Sequence, residues 1–428
     1  MKLYPDFLNI GPFQNFNGTL RVPGSKSISN RALLLAALSS ERINLKHLLF
    51  SDDTLYMLKA LETLGLSVQI SDDKSDVFVQ GVSGNFPNKK ARFFLGNSGT
   101  SMRSLAAALC IHEGEYILEG EARMYERPIK DLADALKKLG AEISYLKNPG
   151  FPPLEIHGKG LLKNKVSVKG NISSQYLTAL LLCAPFAETG LSICVDGELI
   201  SKPYIEMTLS MMHHFGIEVQ NNAFKEFKIP AGVYKAPSVY EIEGDASSAS
   251  YPLAAAAISK GYVKVEGLKK DSLQGDIFFA EILKEMGARI HYGENFIECS
   301  GADLHAINKN LNAIPDAAMT VAVLALFAKG TSTISGIKSW KVKETDRLSA
   351  LSNELQKTGA KVSTTEDSIT ITPPEVLKGA TFETYNDHRM AMCMSLVSLG
   401  NVPVRILNPS CVNKTYPEFF DDFLRLAK

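Results

Sequence analysis

The chain has 428 residues, 45% hydrophobic and 21% charged, and its 46 basic and 46 acidic side chains cancel to a formal net charge of zero. That balance excludes a disordered chain, a collagen, a coiled coil and a polybasic nucleic-acid binder. The longest apolar runs, Ala32 to Leu38 and Ala179 to Ala187, fall well short of the roughly 18 to 20 residues that span a bilayer, so neither nucleic acid nor membrane is expected as a partner.

In chain order, the N-terminal MKLYPDFLNI places Pro5 and Asp6 where an export signal would carry its apolar stretch, which points to a cytoplasmic protein. A helix opened by small polar residues then recurs six times. It appears as GSKSISNRALLLAAL, GNSGTSMRSLAAALC, GNISSQYLTALLLCAP, GDASSASYPLAAAAI, PDAAMTVAVLALFAKG and NDHRMAMCMSLVSLG, beginning at Gly24, Gly96, Gly170, Gly244, Pro315 and Asn386. These starts lie 72, 74, 74, 71 and 71 residues apart. A second helix alternates with the first and runs into Gly65, Gly140, Gly216, Gly287 and Gly359, where a left-handed helix C-terminus favours glycine. Short β-rich runs such as TSTISGI, SITITPP, YVKVEGL and LSICVDG fill the intervals.

A period near 72 implies an α/β module with two helices and several strands. Six modules divide as three plus three, with one globular domain of residues 24–240 and another of 1–23 plus 241–428. The sixth module lacks strands at the C-terminus, which the segment before Gly24 can supply. The first helix type is apolar on all faces and should be buried, with the N-termini of such helices gathered at one face of each domain. Their unpaired N–H groups and partial positive charge make that face an anion site, and two such faces predict a substrate cleft between the domains. The alternative for Ser25, Ser27, Ser173, Ser174, Ser247 and Ser248 is a helix cap and nothing more. The six cysteines have no C-x-x-C spacing, which favours buried thiols in a reducing compartment.

Charged and polar side chains cluster at these helix starts: Lys26 and Arg31, Arg103 and Arg127, Gln175 and Tyr204, Asp316, Lys343, Glu344 and Arg347, then His388, Arg389 and Lys414. Two cations about 8 Å apart repel by about 2 kcal/mol at an effective dielectric of 20, so such a set calls for a polyanionic ligand and predicts an open form without it.

The segments VPGSKSISNRALLLAAL, LGNSGTSMRSLAAAL, ERPIKDLADALKKLGA, GNISSQYLTALLL, SKPYIEMTL, GDASSASYPLAAAA, IPDAAMT, VKETDRL, TYNDHRMAM and CVNKTYP together resemble the EPSP synthase (3-phosphoshikimate 1-carboxyvinyltransferase) family, most closely its glyphosate-sensitive class. The resemblance runs in order from about Gly18 to Leu426. It implies a two-domain inside-out α/β barrel of six βαβαββ-type repeats. It also implies transfer of the enolpyruvyl group of phosphoenolpyruvate to the 5-hydroxyl of shikimate 3-phosphate, with no cofactor and no metal, by a monomer. By the same resemblance Lys26, Ser27, Arg31, Ser173, Ser174, Gln175, Ser201, Tyr204, Asp316, Ser339 and Lys343 bind shikimate 3-phosphate. Lys26, Asn97, Gly99, Thr100, Arg127, Gln175, Arg347, His388, Arg389 and Lys414 then bind phosphoenolpyruvate. Lys26, Asp316 and Glu344 are the catalytic residues in that pattern. Two carboxylates and a lysine suit an addition and elimination that moves one proton onto C3 and another off the hydroxyl.

Two positions depart from the family pattern: Ser104 replaces a usual Pro, which leaves glyphosate tolerance open, and Ser339 replaces a usual Asn beside the substrate. The GSKS segment is no P-loop, because Ser25 separates the Gly and Lys that such a loop needs adjacent. Ser51, Asp52 and Asp53 read as a helix cap with an acidic first turn, and His213 and His214 point to different faces of one helix. A sister transferase acting on UDP-N-acetylglucosamine is the nearest rival, but the stretch from His112 to Arg127 lacks the cysteine usual there. A noncatalytic anion-binding protein on the same fold is the other.

Overall fold

A computed structural model describes residues 2–428, and the chain divides into two compact units, one of Gly24–Ile242 and one of Met1–Pro23 with Glu243–Lys428. Among the described residues there are twelve α-helices. In the first unit these are α1 (Lys26–Leu38), α2 (Asp52–Thr63), α3 (Gly99–Ala108), α4 (Lys130–Leu139), α5 (Ser174–Cys183) and α6 (Lys202–His214). In the second they are α7 (Ala246–Ser259), α8 (Phe279–Glu285), α9 (Ala318–Leu324), α10 (Arg347–Lys357), α11 (His388–Ser395) and α12 (Phe419–Leu426).

One repeat shows the local logic. Strand Lys90–Phe94 leads through α3 to a parallel partner, Gly114–Glu119, and α4 then leads to the antiparallel pair Glu142–Tyr145 and Leu154–Gly158. The last strand pairs with Gly114–Glu119, so the sheet order departs from the chain order. Helices α2, α4, α6, α8 and α10 each run into a glycine with positive φ: Gly65, Gly140, Gly216, Gly287 and Gly359, at 92°, 118°, 82°, 115° and 92°. That conformation lets the chain reverse into the next strand at no Cβ cost.

Among the described residues five sheets are four-stranded and a sixth is three-stranded. They are separate sheets, so the expected inside-out barrel takes the form of sheets packed around buried helices with no closed cylinder of strands. Helices α1, α3, α5, α7, α9 and α11 are buried along nearly their whole length. Many strands alternate buried and accessible residues, as in Lys165–Lys169. Strand Val239–Glu241 pairs in parallel with Arg42–Lys46 and supplies the first strand of the repeat that holds α1. In the other unit Asn17–Arg21 does the same beside Tyr262–Glu266, and Phe7–Ile10 completes the last sheet against Val404–Leu407.

Candidate functional site

The unit of residues 24–242 gathers the starts of α1, α3 and α5. Ser25 and Ser98 cap α1 and α3 by accepting from the amides of Ile28 and Ser101, and Ser173 accepts from the Gln175 amide at the start of α5. Lys26, in the first turn of α1, pairs with Asp53 at 3.4 Å. Asp53 is nearly inaccessible, so it does more than sit in an acidic first turn: a lysine at the head of α1 is matched to a carboxylate of α2. The cap reading of Ser51 is met, since Ser51 and Thr54 bond reciprocally around the α2 start.

Arg31 is buried and touches only neutral oxygens. Its Nε donates to Thr208 at 2.9 Å, Nη1 to the Ser27 carbonyl at 2.9 Å, and Nη2 to Thr178 at 3.3 Å and the Tyr204 carbonyl at 3.4 Å. Burial pushes its guanidinium down to about 10, with Tyr204 acting in the opposite sense. A cation solvated by neutral dipoles is a standing attraction for an anion. The same bonds tie Ser27 and Tyr204 into one corner of the unit, where the Tyr204 amide donates to the carbonyl of Ser201, which precedes α6 at φ 55°.

Arg127 donates to both the carbonyl and the side-chain oxygen of Asn97, at 2.7 and 2.9 Å. Arg103 donates to the Pro128 carbonyl at 2.8 Å, which also accepts from the Tyr176 hydroxyl at 2.6 Å. Gly99 opens α3 against both guanidiniums: a Cβ there would lie 2.5 Å from Arg127 Nη2 and 2.8 Å from Arg103 Nη1. Absence of a side chain at 99 is what lets two cations close on a helix N-terminus. Thr100, Ser174 and Gln175 are half-buried in the first turns of α3 and α5. Ser104 is buried midway along α3, which runs unbroken through it.

In the other unit the charged residues form a network around Asp316. Its Oδ1 accepts from Arg347 Nη1 at 2.9 Å and Lys343 at 3.5 Å, and its Oδ2 accepts from Arg389 Nη2 at 2.9 Å. Arg347 also donates to Glu344 Oε2 at 2.9 Å and through Nε to Asp387 at 2.7 Å. Burial opposes ionisation of Asp316, but Arg389, Lys343 and Arg347 outweigh it and hold the carboxyl well below its ordinary range. Lys343, Arg347 and Arg389 thus face Asp316, Glu344 and Asp387 in equal number. The cations expected to repel one another in the empty protein are matched by carboxylates here, so repulsion within this unit gives no reason for an open form.

His388 is fully enclosed, with Nδ1 3.5 Å from Asp387 Oδ1, so its ring belongs to the packing at the start of α11. Ser339 is half-buried in a 3-10 turn beside Trp340, whose indole N–H donates to the Pro315 carbonyl at 2.7 Å. Lys414 is buried at the end of the turn Pro409–Lys414, which packs against α11.

Three acidic residues of these clusters were not singled out as site residues from sequence: Asp53, Asp276 and Asp387. Asp276 is buried and bonds the hydroxyl of Ser247 in the first turn of α7, while Gln274 accepts from the Ala246 amide at 3.1 Å and donates to the Gly244 carbonyl at 2.7 Å. Burial first, and then the Asp316 charge, raises the Asp276 carboxyl to about 6 against the pull of Arg389. The available signal was position: Asp387 directly precedes His388 and Arg389, and the Gln274–Asp276 segment follows the Gly244 helix by one strand.

The family model described as EPSP synthase (3-phosphoshikimate 1-carboxyvinyltransferase) matches residues 10–423. A protein of Vibrio atlanticus named 3-phosphoshikimate 1-carboxyvinyltransferase is 52% identical over 98% of this chain and 99% of its own length. One of the same name from Pectobacterium carotovorum is likewise 52% identical, over 98% and 99%. Among solved structures, an EPSP synthase from Acinetobacter baumannii aligns with a TM-score of 0.80 at 25% identity, covering 98% of each chain. The enolpyruvyl transferase NikO from Streptomyces tendae shares the fold, with a TM-score of 0.78 at 14% identity over 99% and 98% of the two chains.

Proposed function

The chain belongs to the EPSP synthase family, and from that premise we propose that it transfers the enolpyruvyl group of phosphoenolpyruvate to the 5-hydroxyl of shikimate 3-phosphate and releases phosphate. The observation that carries the chemistry is Asp316, a carboxylate held by Arg347, Lys343 and Arg389. In that state it is a weak base. Substrate anions that draw Arg389 and Lys343 to themselves loosen this hold, so the carboxylate gains basicity when there is a hydroxyl proton to take. Glu344, bonded to Arg347, and Lys26 then handle the protonation of C3 of phosphoenolpyruvate to a methyl group and the later loss of one of its three hydrogens as phosphate leaves. The cations already in place stabilise the charge that develops, with little reorganisation at the moment of reaction.

Within this reading Lys26, Ser27, Arg31, Ser173, Ser174, Gln175, Ser201, Tyr204, Ser339 and Lys343 take shikimate 3-phosphate. Asn97, Gly99, Thr100, Arg127, Arg347, Arg389 and Lys414 take phosphoenolpyruvate. Support comes from Arg31 among neutral oxygens and from two guanidiniums closing on Gly99, both of which favour an anion. The six free thiols, five of them buried, suit a reducing compartment such as the cytoplasm.

The test is phosphate release from phosphoenolpyruvate with shikimate 3-phosphate or UDP-N-acetylglucosamine as acceptor. Release with shikimate 3-phosphate alone is the expected result. Release with the nucleotide sugar alone would transfer the reading to the sister reaction, and release with neither would leave an anion-binding protein.

A further inference from the structure

Helix α10 carries Arg347, Glu354 and Lys357 at spacings of seven and three residues, which puts all three on one face. That face grips the segment leading into α11 at successive points. Arg347 holds Asp387 through Nε at 2.7 Å and Nη2 at 3.4 Å. Two turns further on, Glu354 accepts from the Glu383 amide at 3.0 Å and from the Tyr385 hydroxyl at 2.9 Å. Lys357 bonds Glu354 at 2.6 Å and donates to the Thr381 carbonyl at 3.1 Å.

The Glu354 side chain is only 1% exposed. A carboxylate removed from water to this degree is costly unless its partners replace the solvent, so its bonds to the segment must persist. The segment itself needs support. Tyr385 and Asn386 have φ of 52° and 53°, a left-handed pair with no glycine in it. L-residues adopt that conformation singly, and consecutive ones stay there only when their surroundings hold them. Directly after the pair, Asp387 accepts from the Arg389 amide at 2.9 Å and starts α11, from which Arg389 reaches Asp316.

We propose that Glu354 is a positioning residue for Arg389: its buried carboxylate pins the left-handed turn at Tyr385 and Asn386, and thereby fixes where α11 begins and how Arg389 is presented. The inference rests on the reading of Arg389 as a phosphoenolpyruvate ligand. Loss of the pin leaves Arg389 attached to Asp316 but free to shift with its helix start, and a shift of about 1 Å in such a group costs up to about 100-fold.

The experiment measures kcat and the KM for each substrate in the wild-type chain and in Glu354→Ala, Glu354→Gln and Tyr385→Phe, together with unfolding midpoints. Glu354→Ala is expected to raise the KM for phosphoenolpyruvate on the order of tenfold, with a smaller change for shikimate 3-phosphate. Glu354→Gln keeps an acceptor for the Glu383 amide and is expected to recover most of that loss. Tyr385→Phe removes one bond at a partly exposed ring and decides the matter if Glu354→Ala does not fold. A rise in its phosphoenolpyruvate KM supports the pin, and an unchanged KM overturns it. Lower kcat or stability with both KM values unmoved describes a residue that only supports the fold and also overturns the proposal. An inactive wild-type chain removes the functional reading and this inference with it. An active wild type with unmoved KM values in the variants removes this inference alone.

Discussion

Arg347 Nη1 lies 2.9 Å from Asp316 Oδ1, and this bond joins the side chains of two ion pairs, Arg389 with Asp316 and Arg347 with Asp387. Four charged side chains therefore behave as one unit. Removing one member leaves its partners buried without compensation, which costs more than the bond itself is worth. Asp316→Asn is expected to lower stability by about 3–5 kcal/mol in urea titration, and turnover by about 10²-fold to 10⁴-fold. A loss below about 1 kcal/mol would show the network to be dispensable for folding.

Asp276 supplies a pH dependence of known sign. Its carboxyl is raised from 3.8 in the unfolded chain to about 6 in the fold, because burial and the Asp316 charge disfavour its ionised form. Between those values the folded protein holds the extra proton. The stabilising contribution is whole below the unfolded value and is lost as pH rises through about 6. Asp276→Asn removes the titration, so the variant should gain on the wild type from about pH 4 to about pH 6 and keep a constant advantage above that. Urea midpoints of both proteins across this range measure it, and a gap that opens in the opposite direction contradicts it.

Gly99→Ala tests the approach of two guanidiniums to the α3 start. The new methyl would lie 2.5 Å from Arg127 Nη2 and 2.8 Å from Arg103 Nη1, and both groups are tethered by their bonds to Asn97 and Pro128. One or both must move. The KM for phosphoenolpyruvate is expected to rise on the order of tenfold with little loss of stability, and an unchanged KM would detach Arg127 from that substrate.

The helix pattern was legible because it is local: small polar residues before an apolar run in six helices, and after the five helices that alternate with them a glycine whose φ proves positive, at Gly65, Gly140, Gly216, Gly287 and Gly359. The cation set was legible for the same reason, since Lys26, Arg31, Arg127 and Arg389 sit at or near helix starts. Their counter-charges were not. Asp53 meets Lys26 across 27 positions, Arg347 meets Asp387 across 40, and Glu354 meets Tyr385 across 31. Each of those acids has an ordinary local explanation, as a first-turn residue, a helix cap or a polar face, and only the tertiary fold turns it inward. A sum of cations therefore overstated the unbalanced charge around Asp316.

Pro252 shows a local rule overridden. It lies inside α7, where it cannot bond the Ser248 carbonyl, and it lines a small cavity together with Phe16, Leu20, Phe419 and Phe423. Pro252→Ala regains the helix bond and loses some apolar contact, for a net gain of about 1 kcal/mol. A lower unfolding midpoint in the variant would show that the ring contact outweighs the missing bond.

The roles given to Asp316 and Glu344 require that carboxylates of this network put a proton on C3 of phosphoenolpyruvate and take one off during transfer. Running the reaction in deuterium oxide and reading the vinyl group of the product by proton NMR tests it most directly. Deuterium in the product methylene is the expected result, with Glu344→Gln slowing its formation. A product formed at full rate with no solvent deuterium at that carbon would contradict addition and elimination, and with it the roles given to Asp316 and Glu344.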